Sequence, residues 1–265
     1  MIFQRLIWSA LAAAVLVGSV QTGVQQWQAT PIIQAAESYE SQKAAPADHG
    51  HGHGAARAHG AAADEVQWQP EDGAERSFWS WVANMLHAFS MALLVLTAMG
   101  VCLWRGARMH SLPLALLVSA AGWLSFHFWP SLGLPAEIPG MDAARLGSRQ
   151  GWWVLAAAGA ALACISLAGL RSALRWPAAA AWLALPFVVG APQAAGDPFA
   201  GFGPEAQAAL RTLDARFIWV TTWISLSFWA STGVACGLAF ERWLRPALAA
   251  AFGDSHTAPA LEVNP

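Results

Sequence analysis

The sequence predicts an all-α integral membrane protein, a bundle of five or six transmembrane helices with a disordered, histidine-rich extramembrane loop. Three observations predict this class. The 265 residues are 56% hydrophobic and only 11% charged, with a mean hydropathy of +0.41, whereas soluble domains carry far more charge. Long apolar runs lack charged residues, and Trp and Arg lie where these runs begin and end, as interfacial anchors do. One extramembrane tract consists mainly of Ala, Gly and His.

Apolar runs of roughly 20 residues mark the expected spans. A first run at 6–24 follows Arg5 and lacks a small-x-small cleavage site, so we interpret it as a retained anchor. A short run at 176–190 contains Pro177 and Pro186 and decides between five and six spans. The other four runs are uninterrupted and cover residues 79–104, 112–129, 151–170 and 217–240.

These runs divide the chain into four regions, and the arginines orient them. Short connections that are rich in arginine and poor in acids, such as those at Arg105 and Arg171, favour the inner side. With six spans and the amino terminus inside, the long segment after the first span faces outward. The regions are a first transmembrane anchor (1–24), an extramembrane loop (25–78) with a His-rich tract (44–63), a helical transmembrane domain (79–245) and a C-terminal tail (246–265).

Several classes of protein are excluded by motifs and charges that the sequence lacks. Lys43 is the only lysine and no GxxxxGK[ST] occurs, so any ATP coupling must come from a different polypeptide. HExxH, GxSxG and GxGxxG are absent too, and we expect neither an enzyme nor a bound cofactor. The net charge of −2 and the scattered arginines exclude nucleic acid as a partner. No cysteine belongs to a CxxC pair, and the three do not form a disulfide framework.

The His-rich tract predicts metal binding. Four of the eight histidines lie there, and glycines separate the first three of them. Neutral imidazole is the commonest nitrogen ligand of cobalt, nickel, copper and zinc, and the glycines let the chain wrap an ion. A mobile tract cannot fix a coordination geometry, so we expect it to concentrate metal rather than to form the transport site. The alternative is a flexible linker without a metal role. The candidate capture ligands are His49, His51, His53 and His59.

Two further histidines lie inside predicted spans. His87 belongs to a helical stripe with Ser80, Asn84 and Met91, and His127 ends the next span. Both lie at similar depth toward the outer side, which suggests an entrance vestibule below the tract. The alternative is that each imidazole hydrogen-bonds a neighbouring backbone or hydroxyl group.

The polar residues of the last span and the three cysteines can be explained either by helix packing or by a role in metal transport. Thr221, Ser225, Thr232 and Cys236 share a helical face, and Gly233 lies four residues before a second glycine. Such a stripe indicates helix packing more often than a polar path. The three cysteines could be soft metal ligands near an exit, but a buried cysteine usually acts as a small hydrophobe.

Specific stretches of this chain resemble CbtA, a family of proposed cobalt transporter components. They are Pro-Glu-Asp-Gly-Ala-Glu-Arg at 70–76, Pro-Ser-Leu-Gly-Leu-Pro-Ala-Glu-Ile-Pro-Gly at 130–140, Arg-Gln-Gly-Trp-Trp at 149–153 and Pro-Phe-Val-Val-Gly-Ala-Pro-Gln at 186–193. The resemblance implies a multi-pass protein of the bacterial inner membrane that imports Co²⁺, or Ni²⁺, for vitamin B12 synthesis. It also implies a small companion protein, CbtB, with one membrane span and a histidine motif.

Carried onto this sequence, the resemblance makes His127 a pathway residue, with Glu137 and Asp142 supplying carboxylates suited to a hard divalent ion. Position 187, where family members often have His, is Phe here. Two rival interpretations stay open. One is a membrane metal sensor or delivery scaffold that moves no ion. The other is a redox protein that holds haem between His87 and His127, which an absorbance spectrum would reveal.

Overall fold

The structure is a computed structural model that describes residues 2–40, 42–43, 70–71 and 73–253. Within these residues the chain forms seven helices and no strand. Two of the helices contain a π-helical turn, one at Leu124–Phe128 and the other at Phe240–Leu244. The helices are α1 (Ile2–Gln28), α2 (Thr30–Glu40), α3 (Ala74–Trp104), α4 (Ser111–Ser131), α5 (Leu146–Gly169), α6 (Arg175–Val189) and α7 (Pro204–Ala239, continued through its π turn into Arg245–Gly253).

Five of these helices are long and apolar enough to cross a membrane: α1, α3, α4, α5 and α7. Helix α6 has 15 residues and is about 22 Å long at 1.5 Å per residue, which is shorter than the hydrocarbon core of roughly 30 Å. Pro177 lies in its first turn and Pro186 near its end, so the segment is one continuous helix rather than a broken one. The predicted helical membrane bundle is confirmed, with five long candidate spans and one short apolar helix.

The centre of the bundle is formed by α1, α3, α4 and α7. Helix α1 packs against α3 and α7, and α4 packs against α7. Small residues allow these close contacts: a Cβ on Gly18 of α1 would lie 2.9 Å from the backbone of Met85 on α3. On α7, a Cβ at Gly233 would lie 3.0 Å from Leu116 of α4, and a Cβ at Gly237 would lie 3.0 Å from Leu112 of α4. The packing interpretation of this small-residue pair is therefore correct.

The pair α5 and α6 lies at the side of this centre, and α6 packs chiefly against α5. Pro186 has no N–H to offer the carbonyl of Trp182 one turn earlier. That carbonyl faces Gly159, where a Cβ would lie 2.7 Å from its oxygen. The indole of Trp152 donates to the Pro186 carbonyl at 2.9 Å, and that of Trp129 donates to the Leu183 carbonyl at 3.1 Å. The backbone around the proline thus acquires partners from α4 and α5.

The segment expected to be a loop after the first span begins instead with helix. Helix α1 continues four residues beyond the predicted end at Val24, to Gln28, and α2 follows after Ala29. Glutamine is a good helix former, and Pro31 fits the first turn of α2 because its missing N–H would have no helical partner there. The extra helix places residues 30–40 against the rest of the chain.

Helix α2 belongs to a cap at one end of the bundle, which also contains loops 132–145 and 190–203 and the start of α7. The cap has its own hydrophobic core, separate from that of the bundle. Gly140, at φ +83°, turns loop 132–145 toward the ring of Phe202. Lys43 donates to the Gly140 carbonyl at 2.9 Å and to Asp142 at 2.8 Å. The buried residues of the cap core are Ile32, Ala36, Ile138, Phe199, Phe202, Ala206 and Leu210.

Candidate metal pathway

A cavity of about 720 Å³ extends from the cap into the bundle. Its walls come mainly from α1, α2, α3, α4 and α7, with Trp153 of α5 and Ala136 of loop 132–145, so it lies between the central helices and is covered in part by α2. Its size is within the range of small-molecule sites, roughly 300–1,000 Å³. The polar and sulfur-containing residues along it are Gln21, Gln25, Gln26, Thr30, Gln34, Arg76, Ser77, Ser80, His87, Met91, His127, Thr221 and Ser225.

Antiparallel packing of α1 and α3 sets the depth of each group. Gln26 donates to Ser77 at 3.2 Å near the cap, and Gly18 meets Met85 further along. From Ser77 the cavity reaches Met91, fourteen residues along α3, which is about 21 Å at 1.5 Å per residue. His87 lies one turn before Met91. The cavity therefore extends deep into the bundle, with its histidines toward the closed end.

Asn84 belongs to the predicted stripe but has a different role from its neighbours. Its amide donates to Thr22 Oγ1 at 3.0 Å and to Gln25 Oε1 at 2.7 Å. Both hydrogens are thus used to join α3 to α1. Ser80, His87 and Met91 of the same stripe do line the cavity, so three of the four residues face one space, as the helical period requires.

His87 projects from α3 toward α7. Its ring lies against Phe228 with 4.9 Å between centroids and 34° between planes. The two rings are tilted rather than stacked, and the contact packs the imidazole of α3 against α7. The predicted intramembrane position of His87 thus becomes a position on the cavity wall.

His127 projects from the π-helical turn of α4. The wider turn is closed by the Trp129 N–H, which donates to the Leu124 carbonyl, and Pro130 directly after it has no N–H to continue an α-helical pattern. Such turns frequently occur at functional sites. His127 Nε2 is buried and has no hydrogen-bond partner in the described part of the chain. A buried nitrogen without a hydrogen-bond partner is costly and requires an explanation.

Aromatic rings close the cavity at its deep end. Phe126 stacks on Trp229 with 5.9 Å between centroids, and Phe228 meets Trp229 edge-on at 5.6 Å. Gly122 is necessary here because a Cβ at that position would overlap the Trp229 ring. Beyond these rings lie buried core residues such as Val95 and Leu96. In this conformation the cavity ends at the floor formed by Phe126, Phe228 and Trp229.

The cavity is polar but not acidic. No Asp or Glu is among the described residues that line it, and the formally charged residue among them is Arg76, which donates to Glu37 at 2.9 Å. Across the described residues, no three His, Cys, Asp or Glu side chains converge as a metal site. The cavity therefore offers a cation two imidazoles, the Met91 thioether and neutral oxygens. Such a set suits borderline transition metals better than Mg²⁺ or Ca²⁺, which prefer carboxylates.

Glu137 and Asp142 lie apart from the two histidines. Both line a smaller cavity of about 320 Å³ between the cap loops, together with Asp214. Glu137 accepts from Arg149 at 2.5 Å and Asp142 accepts from Lys43 at 2.8 Å. The structure thus brings these two predicted carboxylates together, but each one has a basic partner that joins parts of the cap.

The last span contributes to both the cavity and the packing. Thr221 and Ser225 line the cavity, whereas Thr232 is fully buried and donates to the Phe228 carbonyl at 2.8 Å. Cys236 is buried beside the Ala92 carbonyl. The three cysteines are absent from the described residues that line the large cavity. Along α7, the residues that line the cavity are therefore followed by residues that are buried in the helix packing.

Sequence reasoning missed the glutamines of α1. Gln21, Gln25 and Gln26 line the cavity, but the prediction gave Gln21 no role within the first span and assigned Gln25 and Gln26 to the loop after Val24. A signal was present, because Gln21 and Gln25 are spaced four residues apart and lie on one helical face.

The His-rich tract lies outside the described residues, and so do His49, His51, His53 and His59. The described residues on either side of it are in the cap. Lys43 is bonded to the loop that contains Gly140, and Gly73 and Arg76 line the cavity. Lys43, before the tract, thus contacts a loop of the cap, and Gly73, after it, lines the large cavity.

Comparison with known protein families gives a match over most of the chain. The sequence model of the CbtA family, described as a probable cobalt transporter subunit, matches residues 3–241. This range extends from the first turn of α1 to the π turn of α7. No curated protein and no solved structure matches the chain.

Proposed function

The chain belongs to the CbtA family of probable cobalt transporter subunits, and from this premise we propose that it passes Co²⁺, or Ni²⁺, through the large cavity into the cell. The observation that carries the proposal is the meeting of both intramembrane histidines, His87 and His127, in one cavity closed on one side by aromatic rings. An ionisable residue is costly to place inside a membrane bundle, so the few that occur there usually have a function.

The His-rich tract supplies the first step of this mechanism. Its imidazoles bind metal weakly and exchangeably, which raises the local concentration of ions at the cap. An ion released by the tract then passes α2 and the rim at Gln26 and Ser77. The positions of Lys43 and Gly73 support this order, because Lys43 is bonded to a loop of the cap and Gly73 lines the cavity.

The two histidines and Met91 form the second step. Two imidazoles and a thioether bind a borderline ion through few ligands, so the ion can leave again, as conduction requires. Release toward the other side requires the floor of Phe126, Phe228 and Trp229 to open. The π turn that holds Phe126 and His127 is the element best suited to this movement, since it can shift between π and α pairing.

The cap end faces the periplasm of a bacterial inner membrane in this proposal. The support is the density of arginine in the short connections at the opposite end, including Arg105 and Arg108. The imported metal serves vitamin B12 synthesis. The energy source lies outside this chain, and a small single-span CbtB-like companion with a histidine motif is the proposed partner. The chain itself catalyses no reaction.

Cellular accumulation of radioactive cobalt tests the proposal. Cells expressing the chain with its companion should accumulate ⁵⁷Co²⁺, and His127→Ala should reduce accumulation to background. His110→Ala is the matched control, because this exposed histidine precedes α4 at the end opposite the cap. Replacing the four tract histidines together should reduce uptake mainly at low metal concentration.

The same assay separates transport from the scaffold interpretation. A scaffold or sensor binds metal but moves none. If every variant reaches the membrane and none, including the unmodified chain, accumulates cobalt or nickel above background, the transport proposal fails.

A further inference from the structure

Gln21 has an amide oxygen that the fold leaves without a partner. The residue is only 8% exposed, and its Oε1 is buried with no hydrogen-bond partner among the described residues. A buried acceptor left without a hydrogen bond is costly, because it has lost its water and gained no other partner. Other polar groups on the same face of α1 are satisfied: Thr22 accepts from Asn84, and so does Gln25. The exception at Gln21 therefore requires an explanation.

Gln21 also lines the large cavity. The register of α1 on α3, fixed by Gln26 beside Ser77 and Gly18 beside Met85, puts Gln21 level with Val82. His87 lies five residues further along α3, about 7 Å deeper at 1.5 Å per residue. Gln21 is thus between the rim and the histidines along the cavity.

His127, whose Nε2 is also buried without a partner among the described residues, lines the same cavity. An amide oxygen and an unprotonated imidazole nitrogen both offer a lone pair, and a partly hydrated cation can meet such groups one after the other along a cavity. The described residues of the cavity lining include no carboxylate that would compete for it.

From these observations we propose that Gln21 is a further binding residue of the cavity, which supplies a neutral oxygen donor to a partly hydrated divalent transition-metal ion before it reaches the histidines. The inference rests on the proposed function and adds a determinant of selectivity to it. A neutral oxygen stabilises a doubly charged ion less than a carboxylate does. The site therefore disfavours Mg²⁺ and Ca²⁺, which are held by carboxylate-rich sites, and selects ions that imidazole binds well.

The test measures equilibrium binding of CoCl₂ to the purified full-length chain whose four tract histidines are replaced by Asn. In this background we expect Gln21→Leu to weaken cobalt binding roughly tenfold or more, because one donor to a charged ligand is lost. Gln4→Leu is the matched control, since Gln4 is exposed on the same helix. We expect Gln21→Glu to bind cobalt and to acquire competition by MgCl₂.

Each outcome distinguishes the inference from the proposed function. If the background protein binds no cobalt, the proposed function fails and the inference fails with it. If the background binds cobalt and Gln21→Leu binds it equally well, only the role of Gln21 is overturned. If Gln21→Leu does not fold, Gln21→Glu decides: unchanged cobalt affinity without magnesium competition overturns the inference, and acquired competition supports it.

Discussion

The imidazole ring of His87 on α3 lies against the phenyl ring of Phe228 on α7, 4.9 Å apart by centroids and inclined by 34°. Phe228 in turn contacts Trp229, which stacks on Phe126 of the π turn. One histidine of the cavity is thus connected through three aromatic rings to the turn that holds the other, His127. The position of the histidines and the closure of the floor depend on the same contacts.

The first prediction separates the chemistry of His87 from its packing. His87→Phe keeps a planar ring against Phe228 but removes both nitrogens. We expect cobalt accumulation to fall at least tenfold while the melting temperature in detergent stays within a few degrees of that of the unmodified protein. Equal uptake by His87→Phe would contradict a ligand role for this residue. Adding Phe89→His, on the same helix outside the cavity lining, should not restore uptake.

The second prediction concerns the floor. Gly122→Ala places a methyl group within the Trp229 ring, so Trp229 must move. Overpacking of this kind typically costs about 1–3 kcal/mol, which outweighs the roughly 1 kcal/mol that Ala gains over Gly in a helix. We expect a lower melting temperature for Gly122→Ala.

Gly100→Ala is the control for this change, because nothing lies within 4 Å of a Cβ there. It should leave the melting temperature unchanged or raise it. Equal effects of the two substitutions would show that the contact between Gly122 and Trp229 does not limit the packing of the floor.

The third prediction concerns the cap. Lys43 pairs with Asp142 at 2.8 Å and connects the residues after α2 to loop 132–145. Half-exposed ion pairs contribute little to global stability, about 0–1 kcal/mol, so the expected effect is local. Asp142→Lys should increase amide hydrogen exchange in residues 30–40 several-fold without changing the melting temperature.

The charge-reversed double variant, Lys43→Asp with Asp142→Lys, is the control because it restores an attractive pair. It should recover most of the protection in α2. If the double variant exchanges as fast as the single one, the Lys43–Asp142 ion pair does not hold the cap.

The fourth prediction is a dependence of capture on pH. An unperturbed imidazole takes up a proton near pH 6.5, and a protonated imidazole cannot bind metal. The tract should therefore bind metal above this pH and lose it as the pH falls through it. At limiting cobalt, we expect uptake to fall several-fold between pH 7.5 and 5.5, and to fall less in the variant without tract histidines. Uptake that stays constant over this range would remove the tract from the mechanism.

The sequence predicted the helical membrane bundle because long runs without charge, such as residues 79–104, have few other physical solutions. It also placed Ser80, His87 and Met91 on one face, since the helical period alone determines this. The sequence could not show whether the segment that forms α6 is a continuous helix or a broken one. The answer depends on hydrogen bonds from Trp129 and Trp152 to the backbone around Pro186. Such contacts join residues far apart in sequence.

The role of α1 in the cavity was missed for a similar reason. Gln21 and Gln25 come at the end of an apolar run, and hydropathy alone reads glutamine as the end of a span. Gln25 accepts from Asn84 of α3 and Gln26 donates to Ser77 of α3, so the position of these glutamines depends on contacts with a distant part of the chain. The separation of Glu137 and Asp142 from the histidines was equally hidden, because it depends on their pairing with Arg149 and Lys43.

The central claim is that one cavity holds the metal between His87 and His127. X-ray absorption of Co²⁺ bound to the full-length chain with its tract histidines replaced by Asn tests it most directly, because imidazole ligands give a distinctive scattering pattern. The account predicts two imidazole ligands in this background and one after either His87→Phe or His127→Ala. A cobalt ion without imidazole ligands, or with the same number in all three proteins, would contradict it.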